Sequence, residues 1–134
     1  MKITAGMGSV EDYEMLVQAG ADEIFCGYVP FDWNQKFGNL MPLNRREVMY
    51  YHVQVNVCED MKLLANMMKD MHVPVAITLN ALYYTEEQLK WIGDTILRLM
   101  ELGFRDYIIA DIGLVLYLRE RRIPCYIHMR IWNP

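Results

Sequence analysis

The feature that most limits the fold is an alternation along the chain. Short apolar runs ending in a polar side chain take turns with amphipathic stretches of helical period. Val73-Pro-Val-Ala-Ile-Thr-Leu-Asn80 is the clearest run, and Phe104-Arg-Asp-Tyr-Ile-Ile-Ala-Asp111 follows one helix later. Three further runs, Lys2–Ala5, Asp22–Gly27 and Cys125–Met129, complete a set of five strands with Val75–Leu79 and Tyr107–Ala110. Helices between successive strands require a parallel sheet with right-handed crossovers. The fold class is therefore α/β. The chain of 134 residues is read as one domain spanning 1–134. Full (β/α)8 barrels take about 250 residues. An open doubly wound sheet and about half of a barrel are the two architectures that fit.

Local signals mark the helices. Ser9 reads as an N-cap with Asp12 reaching back, and Val10, Tyr13, Leu16 and Val17 share one face before Gly20 stops the helix. Asn56 with Glu59 marks a second start, followed by Met61, Leu64, Ala65 and Met68 at helical spacing. Thr85 and Gln88 form a capping box ahead of the stripe Leu89, Ile92, Ile96, Leu99 and Met100, which Gly103 ends. Ile112 to about Arg121 is a last short helix. The segment from Tyr28 to about Val55 reads as a long loop, with Val53–Val57 either a short strand or the approach to a helix. Long aromatic loops in compact domains are usually lids or binding loops.

In a parallel sheet, ligands sit at the carboxyl ends of the strands. Asn80, Asp111 and His128 fall at or near such ends, and one rim can gather them. A carboxylate beside an imidazole orients it and raises its basicity, which suits general-base catalysis. These three are the candidate catalytic residues. Each also has a plainer role: Asp111 as the N-cap of the helix from Ile112, His128 as a satisfied interior histidine, Asn80 as a turn residue. Arg45 and Arg46 are candidate substrate-binding residues for a carboxylate or phosphate, or a solvated helix start. Tyr28 and Trp33 line a pocket or cover the barrel end. Arg119, Arg121 and Arg122 suit a helix C-terminus without any partner.

Taken in order and spacing, several blocks resemble the N-terminal half of the U32 (collagenase-like) peptidase family. They are Gly8-Ser9 after the first strand, Ala19-Gly-Ala-Asp-Glu-Ile-Phe-Cys-Gly27, Thr78-Leu-Asn80, Asp106-Tyr-Ile-Ile-Ala-Asp-Ile-Gly113 and Ile127-His128. The resemblance implies half of a (β/α)8 barrel and a peptide substrate. Related proteins are similar to RNA- and quinone-hydroxylation factors. Family members usually place a small hydroxyl residue within two positions of the fifth-strand histidine, where this chain has Met129 and Arg130. The cluster-binding cysteines of some relatives lie in the later half, so no cofactor is expected here.

No metal spacing and no GxSxG or HExxH pattern occurs, and His52, His72 and His128 are far apart. A net charge of −4 without long single-sign runs argues against charge-driven nucleic-acid binding. Apolar runs are too short to span a bilayer, and Met1–Thr4 enters a strand without a signal core, so a cytoplasmic location is expected. Cys26, Cys58 and Cys125 read as reduced thiols. Half a barrel exposes two sheet edges and an inner face. A homodimer or a complementary half-barrel chain is therefore the expected partner. Two functions follow: part of a U32-like peptidase, or a non-catalytic half-barrel module that depends on a partner.

Overall fold

The computed structural model describes residues 1–37, 43, 54–55 and 58–129. Its elements run β1 (Thr4–Gly6), α1 (Asp12–Gln18), β2 (Glu23–Tyr28), α2 (Phe31–Phe37), β3 (Gln54–Val55), α3 (Cys58–Met71), β4 (Val75–Leu79), α4 (Glu86–Leu102), β5 (Asp106–Ile109), α5 (Ile112–Glu120) and β6 (Tyr126–Met129). The sheet order is β1-β2-β4-β5-β6, with β3 beside β2, and every pairing is parallel. Gly27 is paired with both Gln54 and Thr78, so β3 and β4 flank β2 on opposite edges. The short β3 thus takes the edge that β1 leaves at Gly6.

Strand parity sets the layers, because alternate side chains point to opposite faces. Ile24 and Cys26 of β2, Val75, Ile77 and Leu79 of β4, and Tyr107 and Ile109 of β5 are buried. They share one cluster with residues of all five helices, including Tyr13, Trp33, Leu64, Ile96 and Leu114. All the described helices therefore cover one face of the sheet, as the outer helices of a barrel do. Each fully buried isoleucine contributes about 1.5–3 kcal/mol. The fold is a partial (β/α)8 barrel: five principal parallel strands alternating with helices.

Helix ends follow the local chemistry. Thr85 Oγ1 accepts from the Gln88 amide while the Gln88 side chain accepts from the Thr85 amide at 2.8 Å, so the capping box forms in full. At the end of α1 the Gly20 and Ala21 amides bond back to Val17 and Leu16. Gly103 and Phe104 repeat this after α4, bonding Met100 and Leu99. Both glycines have positive φ, 94° and 114°, which a residue without Cβ adopts freely.

Two readings need correction. The helix after β1 starts at Asp12, not Val10: Asp12 Oδ2 accepts from the Gly8 and Ser9 amides at 3.0 and 3.1 Å, and Val10–Glu11 form a turn. The aromatic segment after Tyr28 is not all loop. Phe31–Phe37 is helical, and the rings of Trp33 and Phe37, four residues apart, pack at a 51° tilt with centroids 4.5 Å apart. Within Val53–Val57, open in the sequence between a short strand and the approach to a helix, Gln54–Val55 is a strand. Asn56 lies outside the described residues. No helix of the described residues is long and apolar enough to cross a membrane.

Candidate functional site

The face of the sheet opposite the helices carries the other strand parity. Glu23 and Phe25 of β2, Ala76 of β4, Asp106 and Ile108 of β5, and His128 of β6 line a cleft of about 240 Å³ there, with Thr4 at its β1 edge. The face is mixed rather than apolar. Three titratable groups stand on it.

His128 is level with Ile108 in the strand register, and Asp106 with Tyr126. The imidazole reaches diagonally across that register, placing Nε2 2.9 Å from Asp106 Oδ1. With the carboxylate ionised, Nε2 carries the hydrogen and donates it, which leaves Nδ1 as the basic nitrogen. The pair is partly solvated, with the His128 side chain 54% and the Asp106 side chain 32% exposed. Substrate or water can therefore reach it.

Glu23 stands at the start of β2. Its carboxyl is held below the usual carboxylate range, chiefly by the hydrogen bond from Lys2, then by the Lys2 charge, the Thr4 hydroxyl at 3.4 Å and the charge of His128. Burial opposes this shift and loses. The cleft thus holds an imidazole braced by one carboxylate and within the field of a second. That arrangement can take a proton from a bound water or hydroxyl and stabilise the resulting imidazolium. Among the described residues, no group of three or more His, Cys, Asp or Glu side chains could hold a metal ion.

Asp111 and His128 hold different partners. Asp111 caps α5: Oδ1 accepts from the Gly113 amide at 2.9 Å, and Oδ2 accepts from the Tyr84 amide at 3.2 Å. Its oxygens serve backbone, so His128 is braced by Asp106 instead. Asn80 directly follows β4 and is half-buried at the carboxyl rim. Trp33 is fully buried, against Phe37 and edge-on to Trp91 at 5.1 Å, so it is part of the core. Tyr28 ends β2 on the helix side, in a cleft with Asp32, Cys58 and Arg98. Burial, above all, pushes its phenol up to about 12. Arg45 and Arg46 lie outside the described residues.

Sequence reasoning missed Asp106 and Glu23. The signal was strand parity: Asp106 is level with Ala76, and alternation along β4 puts Ala76 on the same face as Thr78.

The family model for peptidase family U32 matches residues 8–131. No curated protein matches the chain significantly. Among solved structures, the chain is similar to the U32 peptidase Mk0906, with a TM-score of 0.54 and 15% sequence identity. The match covers 88% of this chain and 44% of that one, so this chain spans less than half the length of that protein. At such identity the likeness speaks for the fold.

Proposed function

Because this chain belongs to peptidase family U32, we propose that it acts on peptides as the N-terminal half-barrel of a hydrolytic site. His128 is the general base in this reading. Asp106 orients it, and Nδ1 takes the proton from the attacking water. The observation that carries the reading is the 2.9 Å His128–Asp106 pair facing an open cleft on the uncovered side of the sheet. Glu23 stands on the same cleft wall, where its carboxylate suits the amino end of a peptide.

The exposed inner face implies a second half. A second copy of this chain, or a complementary half-barrel chain, completes the site. Exposed side chains on β6 support this, Tyr126 at 68% and Met129 at 42%. A cytoplasmic location fits the three free cysteines.

The test is digestion of a mixed peptide library by the purified chain, its assembly state measured by light scattering, with new termini read by mass spectrometry. The assembled wild type should cleave. His128→Ala should lose at least about a hundredfold in rate, the scale of general-base catalysis, with unchanged circular dichroism. A well-folded, assembled wild type that cleaves nothing would overturn the peptidase reading. It would favour the non-catalytic module, which the 44% coverage of the related structure also suits.

A further inference from the structure

We propose that the cleft between α4 and α5, at the amino end of the sheet, is an anion site that takes a phosphate group between Arg121 and Arg122. The first observation is a comparison of helix ends within the chain. Three of them close with the same two bonds. After α5 the Arg122 amide bonds Arg119 and the Ile123 amide bonds Leu118, as at Gly20–Ala21 and Gly103–Phe104. The first two place glycine at positive φ, but the third places Arg122 there at 54°. Among the described residues, the other non-glycine residue at positive φ is His72, which ends α3 with a bond to Met68. A residue with a Cβ is disfavoured in this conformation. Helix closure alone would be better served by glycine, so the arginine here carries a backbone cost that its side chain can offset only by a contact of its own.

The second observation is the wall of the cleft. The Arg121 guanidinium carbon lies over the Tyr117 ring, 5.3 Å from its centroid, in a cation–π contact. The ring has room only because residue 93 is glycine: a Cβ there would lie 2.9 Å from Tyr117 Cε1. Both arginines line a cleft of about 260 Å³ with Asp94, Leu97, Tyr117 and Ile123. Among the described residues the ion pairs are Lys2–Glu23, Lys36–Glu87 and His128–Asp106, so neither arginine has a carboxylate partner. Two arginines lining one cleft, on a chain of net charge −4, match the several oxygens of one phosphate better than a single carboxylate. Asp94 is the acidic residue on the wall, and it opposes the anion.

The experiment follows the arginine Nε–Hε resonances of the labelled chain during titration with inorganic phosphate and with phenyl phosphate, at fixed ionic strength. Saturable shifts confined to Arg121 and Arg122 are expected. Affinity should fall about tenfold in Arg121→Ala and in Arg122→Gly, and rise in Asp94→Asn, as for charge-assisted bonds. Arg122→Gly relieves the backbone, so its melting temperature should hold or rise while binding is lost. Tighter binding of the ester supports a phosphorylated ligand, and tighter binding of phosphate supports the free ion. Shifts that do not saturate, or that persist equally in both arginine variants, would overturn the site.

Discussion

Asp111 and Tyr84 are joined by a hydrogen bond from the Tyr84 amide to Asp111 Oδ2, at 3.2 Å. One carboxylate thereby ties the β5–α5 connection to the β4–α4 connection while it caps α5 through Gly113. Replacing it leaves two amides without this acceptor. Asp111→Ala should lower unfolding free energy by about 2 kcal/mol. Asp111→Asn should recover much of that, since asparagine also caps. Urea denaturation of the two variants checks the order.

Trp33 is core, and its truncation should show it. Trp33→Ala removes a fully buried ring that meets both Phe37 and Trp91. A loss of about 3–5 kcal/mol is expected. Near-ultraviolet circular dichroism should lose intensity with it. A variant of wild-type stability would mean that the indole is dispensable to packing.

The cysteines should separate by reactivity. Cys58 is exposed and Cys125 partly exposed, whereas Cys26 is buried and its thiol is pushed up to about 12 by burial. Burial also raises the Cys125 thiol. Thiol labelling of the native chain should modify Cys58 first and Cys125 next. Cys26 should react only on global unfolding, at least about a thousandfold more slowly. Mass spectrometry of a labelling time course reads the order directly.

Glu23 should give stability a pH-dependent component. Its folded carboxyl titrates below the ordinary value of 4.5, mainly through Lys2. A depressed value means that the stabilisation is fully present above pH 4.5 and is lost as pH falls through the folded value. Melting temperatures of wild type and Glu23→Gln should therefore differ by a constant near neutral pH and converge under acid conditions. Lys2→Met should remove most of the same difference.

What was legible in the sequence was local. Thr85 and Gln88 are three residues apart, and Gly20 and Gly103 act on their own backbone, so neighbours alone reveal them. Val75–Leu79 announced itself as a strand because both its termini are marked. The helix Phe31–Phe37 was hidden because Trp33 is held by Trp91, far along the chain. The partner of His128 was hidden for a related reason. Asp106 is reached only by a diagonal across two strands, and nothing short of their register distinguishes it from Asp111. Asp111 itself could be read as a cap, because that role depends on Gly113 two residues away.

The strand order carries a kinetic consequence. Thr4 meets Glu23 and Asp106 meets Tyr126 across about twenty residues, but Ile24 meets Val75 across about fifty, which costs more chain entropy to close. The pairs β1–β2 and β4–β5–β6 can each assemble from shorter closures, and α4 with its complete cap favours the second group. Joining β2 to β4 is then the late step of folding. Pulse-labelled hydrogen exchange should find the β5 amides protected before those of β2, and simultaneous protection would count against this order. The seam between β2 and β4 divides the chain into an early-forming and a late-docking part.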